Sequence, residues 1–150
     1  MPTIRITQTT LVTPEQFAAA ITHFGPGRSK MFDNTSDEFL QVHAIGATSA
    51  DVTEGNKGGW ERLHYDWSNP RRITMTTTDS NLWGGASSHV YELTPQSDGT
   101  TRLDATIVRE GKNFGGRLAG LLVGTVGKGV FAKSLRNLVQ EVEVQAGVRG

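Results

Sequence analysis

Five side chains in the middle of this chain carry the chemistry of an acid–base or anion-binding site: Glu61, Asp79, Ser87, His89 and Arg109. They lie far apart in sequence, so only the fold can unite them. Each falls in a stretch where polar and apolar residues alternate, as in a half-buried strand. Alternation assigns faces. Ile73 and Met75 mark the inward side of one strand and carry Thr77 and Asp79 with them. Tyr91 and Leu93 mark it in the next, bringing in His89 and Ser87. Leu103, Ala105 and Ile107 bring in Arg109, and Leu63 and Tyr65 bring in Glu61 and Trp67. Hairpin pairing then sets levels. With Leu93 opposite Leu103, Ser87 comes near Arg109 and His89 near Ile107. With Trp67 opposite Arg72, Glu61 comes close to Thr78 and Asp79. The five residues are therefore expected at one end of an inner surface. An acid, a histidine and an arginine together can polarise a carbonyl and move protons. The competing reading is a structural ion pair, with Asp79 or Glu61 neutralising Arg109 at the sheet rim.

Other candidates carry less. His64 alternates onto the opposite face from Leu63 and Tyr65 and reads as a surface histidine. His23 and His43 have no neighbouring partner in sequence, and the four histidines lack ligand spacing, so no metal site is expected. No cofactor motif stands out. Gly115-Gly116-Arg117 has a phosphate-loop flavour but lacks the lysine-serine/threonine ending. Trp83, in the loop Asn81-Leu82-Trp83-Gly84-Gly85, is either a lid over a cavity mouth or an anchor for its own turn.

The elements that must position these residues follow in a telling order. A strand over 3–10 comes first. Thr13-Pro14-Glu15-Gln16 then starts a helix, with a capping threonine, proline at the first helical position and glutamine three residues after the cap. Phe17, Ala20, Ile21 and Phe24 continue it until Gly25-Pro26-Gly27 breaks it, with one more short turn over 28–32. Strands are expected over 38–45, 51–54, 60–67, 72–79, 86–95 and 101–110, each bounded by a turn cue. Asp98-Gly99 is the strongest hairpin signal. One helix over 112–145 closes the chain. Its middle, 118–126, is apolar nearly all round. Beyond Lys133 it sets Leu135, Leu138, Val139 and Val142 against Arg136, Gln140, Glu141 and Glu143. Gly116, Gly120 and Gly124 recur at four-residue spacing, which predicts close approach of this helix to the sheet or to a ligand.

A long run of strands makes a curved antiparallel sheet with one apolar face. The closing helix is the only long element left to cover that face. The pair encloses an interior volume suited to an apolar guest. Leu63, Tyr65, Met75, Thr77, Trp83, Ser87, His89, Tyr91, Ile107, Arg109 and Leu121 are the expected ligand contacts, and Asp79, His89, Arg109 and Glu61 the candidate catalytic groups.

Composition narrows the partners. The 150 residues are expected to form one domain with a real core. Lysine plus arginine and aspartate plus glutamate both number 15, so no net charge favours nucleic acid. There is no cysteine, which removes disulfides and thiolate chemistry. Met1-Pro2-Thr3-Ile4-Arg5 has no basic-then-apolar signal pattern, so a cytoplasmic location is expected. No uninterrupted apolar run reaches the ~20 residues of a membrane span. The expected partner is a small hydrophobic molecule, and the expected state a monomer or homodimer.

Four stretches resemble a known superfamily. They are Thr13-Pro14-Glu15-Gln16-Phe17; the strand–turn–strand run from Trp60-Glu61-Arg62 to Asn69-Pro70-Arg71-Arg72; Tyr91-Glu92-Leu93-Thr94-Pro95 with Asp98-Gly99; and Leu121-Leu122-Val123-Gly124-Thr125-Val126-Gly127-Lys128. Together they resemble the START-like (SRPBCC) superfamily, in particular bacterial polyketide cyclase/dehydratase and lipid-transport proteins. The resemblance implies an α+β helix-grip fold with about seven antiparallel strands around a long C-terminal helix. It also implies a hydrophobic-ligand cavity, used by a carrier or by a cyclase/dehydratase-type enzyme. The superfamily has no universal catalytic motif, so the resemblance names no reaction.

Overall fold

The computed structural model describes residues 2–148. Seven strands form one antiparallel sheet: β1 (Thr3–Thr10), β2 (Gln41–Ile45), β3 (Ser49–Gly55), β4 (Trp60–Asn69), β5 (Arg72–Ser80), β6 (Ser88–Pro95) and β7 (Thr101–Val108). Their spatial order is β1-β7-β6-β5-β4-β3-β2. Every neighbouring pair from β2 to β7 is therefore a sequential hairpin. β1 instead joins the far edge beside β7. Helix α1 (Pro14–Ile21), a 3-10 turn at Arg28–Lys30 and another at Asp37–Phe39 carry the chain from one edge to the other. Helix α2 (Phe114–Gln145) packs against the sheet. This is the expected helix-grip architecture.

Local chemistry explains the elements. The Thr13 hydroxyl accepts from Gln16 N at 3.1 Å, and Gln16 Oε1 accepts from Thr13 N at 2.9 Å, so α1 begins in a complete capping box. Phe17 and Ile21 then point inward and are fully buried, Phe17 edge-on to Tyr91 with ring centroids 5.5 Å apart. The helix ends at Ile21, short of the expected Phe24, and Gly27, with a φ of 88° that suits glycine, opens the 3-10 turn at Arg28–Lys30. Asn113 caps α2 by accepting from Gly116 N at 2.8 Å. Leu135, Leu138, Val139 and Val142 lay the second half of α2 against the sheet.

Four local expectations need correction. The 3-10 turn at Asp37–Phe39 occupies the expected start of β2, which begins only at Gln41. Glu143 is not on the polar face of α2. It is buried, and its carboxylate accepts from the Thr10 hydroxyl at 3.0 Å and from Leu11 N at 2.8 Å. The close glycine contacts of α2 are not at Gly120 or Gly124. An added Cβ at Gly120 meets nothing, and at Gly124 it meets only Pro2 at 4.0 Å. At Gly116 it would run into the Leu82 carbonyl, and at Gly127 it would lie 3.0 Å from Ile4 Cδ1. The fourth correction concerns β5. Leu63 pairs Thr77 but Arg62 pairs Asp79, so Thr78 is an extra residue, a β-bulge. Thr78 and Asp79 both face outward in consequence, and Ser80 turns inward.

Candidate functional site

The register of β6 and β7 is the expected one, with Leu93 opposite Leu103 and His89 opposite Ile107. Arg109, one residue beyond β7, therefore projects beside His89. Across the sheet, β4 brings Glu61 to the same end. The result is a polar cluster with Arg109 at its centre. Arg109 Nη1 donates to Glu61 Oε2 at 2.8 Å, and its Nη2 lies 2.5 Å from His89 Nε2. The Thr77 hydroxyl donates to the same Glu61 oxygen at 2.7 Å. The Trp83 ring lies against the guanidinium, 5.1 Å from its carbon to the ring centroid.

The contacts fix the protonation of the cluster. A guanidinium donates and never accepts, so His89 Nε2 accepts from Arg109. The proton of the neutral ring then sits on Nδ1. That buried nitrogen has no hydrogen-bond partner among the described residues. Burial, and next the Arg109 charge, push the His89 pKa down to about 3, against the opposing pull of Glu61. For Glu61 burial works to raise the pKa, but the Arg109 charge and the hydrogen bonds from Arg109 and Thr77 outweigh it. The carboxyl is held below the usual range. Near neutral pH the cluster is thus a carboxylate, a guanidinium and a neutral imidazole.

The cluster forms one end of a cavity of about 490 Å³ between sheet and helix. Leu63, Met75, Tyr91, Ala105 and Ile107 line it from the sheet, and Val130, Phe131, Leu135 and Leu138 from α2. Met31, Phe32 and residues 33–35 close it from the segment after α1. Of the sequence-derived site residues, Glu61, Leu63, Met75, His89, Tyr91, Ile107 and Arg109 line this cavity.

The others do not. Asp79 is the main correction. The bulge at Thr78 puts its side chain on the outer face, 57 % exposed, where it pairs with Lys112 at 3.2 Å. It borders a separate depression with Trp60, Arg62 and His43. Thr77 is buried behind Glu61 and serves it by hydrogen bonding. Ser87 is buried and accepts from Glu110 N at 2.9 Å, which fastens the end of β7. Trp83 is an anchor rather than a lid, bridged to Gly111 and stacked on Arg109. Leu121 is 67 % exposed, because this half of α2 turns Gly116 and Gly127 toward the protein. His64 lies on the outer face, 3.1 Å from Asp51, and His43 bonds the Thr53 hydroxyl at 2.7 Å. No metal-ligating cluster occurs among the described residues.

Tyr65 belongs to a second buried cluster that the sequence reading missed. Arg28 pairs with Glu54, donates to the Tyr65 hydroxyl at 2.8 Å, and donates to the carbonyls of Ile21 and His23 at 2.6 and 3.1 Å. Tyr65 in turn donates to Glu54. The guanidinium also lies over the rings of Phe24 and Phe32, at 4.5 and 4.7 Å. Every buried polar atom of this group has a partner, so it locks the segment after α1 onto the sheet. Burial works against the Arg28 charge, but Tyr65 and Glu54 more than offset it and raise its pKa. A sequence signal for Glu54 existed. Ala50 and Val52 alternate inward in β3, and Glu54 continues that series. Arg28, between glycine, serine and lysine, gave none.

A curved antiparallel sheet gripping a C-terminal helix, with a cavity between them, is the START-like helix-grip fold. Solved structures agree. The chain is similar to TTHA0849 from Thermus thermophilus, with a TM-score of 0.74 at 15% identity over 96% of this chain and 99% of that one. It is similar to the Zhui aromatase/cyclase from Streptomyces sp. R1128, with a TM-score of 0.71 at 13% identity over 97% and 95%. A START superfamily protein from Mycobacterium smegmatis matches at a TM-score of 0.65 and 12% identity over 93% and 98%. No family model matches the chain, and no curated protein matches it.

Proposed function

We propose that this protein binds a small hydrophobic ligand, a lipid or an aromatic or polyketide-like molecule, in the cavity between sheet and α2. The observation that carries this reading is the lining: apolar side chains from sheet and helix, with polar groups converging at one end. A volume of about 490 Å³ falls within the range of about 300–1,000 Å³ common for small-molecule sites. The ligand's oxygen, a carbonyl or hydroxyl, would sit at the end of the cavity formed by Glu61, His89 and Arg109, where the Arg109 guanidinium can donate to it. The reading extends to a single-domain protein, a monomer or homodimer, working in the bacterial cytoplasm; the lack of cysteine is compatible with that compartment.

A second reading, an enzyme of the cyclase/dehydratase kind, is favoured by the same polar end, where the Arg109 guanidinium can polarise a carbonyl. Proton abstraction by His89 is poorly matched to neutral pH, because an efficient base has a pKa near the operating pH and this one is pushed down to about 3. Binding therefore ranks first. Native mass spectrometry of the protein purified from its own host tests it. The expected result is a co-purified hydrophobe, absent from Ala105→Trp, in which the cavity is filled. The absence of both a bound molecule and uptake of an apolar fluorescent probe by the unaltered protein would overturn the proposal.

A further inference from the structure

The first half of α2 is amphipathic in the reverse sense. Against the protein it sets Gly116 and Gly127, where an added Cβ would strike Leu82 and crowd Ile4. Toward solvent it sets its largest apolar side chains. Phe114, Leu118, Leu121 and Leu122 follow one another at intervals of four, three and one, which places them on a single helical stripe. They are exposed by 77, 49, 67 and 64 %. Val126 and Val130 extend the exposed surface toward the cavity wall. A contiguous exposed apolar surface of this kind marks an interaction site.

Charge says what covers it. From Gly111 to Gln140 the chain carries Lys112, Arg117, Lys128, Lys133 and Arg136 and no aspartate or glutamate. The whole chain is neutral, so positive charge is concentrated on the part of this helix before Glu141 and Glu143; Lys112, just ahead of it, pairs with Asp79. A second copy docked on the same stripe would set like charges against each other. An anionic lipid bilayer offers both an apolar phase and negative headgroups. By length and composition alone α2 is long and apolar enough to cross a membrane. Arg117 and Lys128, however, bracket an apolar stretch far shorter than the ~20 residues needed to span. The second half of the helix is committed to the core. Such a helix lies in the interface plane, apolar face down, with its bases at headgroup level.

We propose that the exposed face of α2, from Phe114 to Val130, docks this protein on the surface of an anionic lipid bilayer. The docked helix continues directly into the cavity wall, so docking would bring that wall up to the acyl phase. The docking surface stands on its own observations and does not depend on the cavity's ligand.

The test is co-sedimentation of the full chain with vesicles of phosphatidylcholine alone and with about one quarter phosphatidylglycerol added. The full chain should sediment with the anionic vesicles, and binding should fall about tenfold on neutral vesicles or in high salt. Leu121→Ser with Leu122→Ser should abolish it, and Arg117→Gln with Lys128→Gln should weaken it severalfold, with thermal melts unchanged because these side chains are exposed. The proposal is overturned by failure to bind anionic vesicles, by equal binding to neutral ones, or by binding that survives the serine pair. It is also overturned if sedimentation velocity reveals a concentration-dependent dimer that the serine pair dissolves, since a second copy would then be the occupant.

Discussion

Arg109 Nη2 and His89 Nε2 stand 2.5 Å apart, and this contact settles the state of the imidazole. An arginine that can only donate makes the histidine an acceptor on that side. His89 is then neutral, with its proton on Nδ1. Nitrogen chemical shifts of the imidazole should report that tautomer. They should not titrate between about pH 5 and 8, where an ordinary histidine changes charge. A titrating resonance in that window would disprove the assignment.

Stability should fall in acid, and the sign follows from the same groups. The His89 pKa drops from an ordinary 6.5 to about 3 on folding. Between those values the unfolded chain binds a proton that the folded chain does not, so stability rises with pH across the window. Glu61, held below its ordinary 4.5, adds a further loss as the pH falls through its folded value. Chemical denaturation at a series of pH values should show the decline beginning near the ordinary histidine value of 6.5. His89→Gln, which carries no titrating ring, should flatten the upper part of that decline.

Glu61 and Asp79 offer a contrast between two carboxylates. Glu61→Gln leaves the Arg109 charge nearly buried and poorly compensated. The expected loss is about 3 kcal/mol, at the lower end for a broken buried pair because Glu61 keeps some exposure. Asp79→Asn removes only an exposed contact to Lys112 and should leave the melting temperature unchanged. Equal effects of the two substitutions would contradict the bulge that separates them.

Gly116 and Gly120 sit one turn apart on α2 and should respond in opposite directions. A methyl group at Gly116 collides with the Leu82 carbonyl, a backbone atom that cannot swing aside, so Gly116→Ala should destabilise by about 1–3 kcal/mol. At Gly120 the methyl meets nothing, and alanine should stabilise by up to about 1 kcal/mol through helix propensity. Thermal melts of the two variants decide it.

Tyr65→Phe probes the second buried cluster. Without the hydroxyl, Glu54 and Arg28 each lose a partner in a site closed to water. A loss of about 1–3 kcal/mol is expected. A neutral outcome would mean that water enters to replace it.

How far the sequence reaches can be read from particular residues. The antiparallel sheet and the β6–β7 register followed from alternation and from one Asp-Gly turn, so His89 and Arg109 fell at the same end, as the structure has them. Glu61 reached the same end through its alternation with Leu63 and Tyr65, although the expected pairing of Trp67 with Arg72 fails: Asn69 faces Arg72, and Glu61 faces Ser80. Asp79 did not, because alternation carries no warning of an inserted residue; a bulge is chosen by tertiary pairing, here by Arg62 taking Asp79 and Leu63 taking Thr77. Arg28 was invisible because its burial comes from three rings and a carboxylate contributed by distant segments. Glycine spacing in α2 marked a real property of the helix but not its contacts. Helical periodicity alone does not say which side of a glycine-rich helix meets the protein, and here the large side chains lost that place to Gly116 and Gly127.

The inserted Thr78 also governs the sign of the cavity's polar end. In an unbroken strand Asp79 would share the inner surface with Glu61, and two acids would compete for one arginine. Such a pair cannot both stay ionised at close range, so one would hold its proton and the end would become acidic. With the extra residue, Ser80 takes the inward place instead. Its hydroxyl donates to the Trp60 carbonyl and accepts from Leu82 N and Trp83 N at 2.7, 3.0 and 3.1 Å, shaping the loop whose tryptophan backs Arg109. A single residue of slack in one strand thus decides that a guest in this cavity would meet a charge-balanced wall rather than an anionic one.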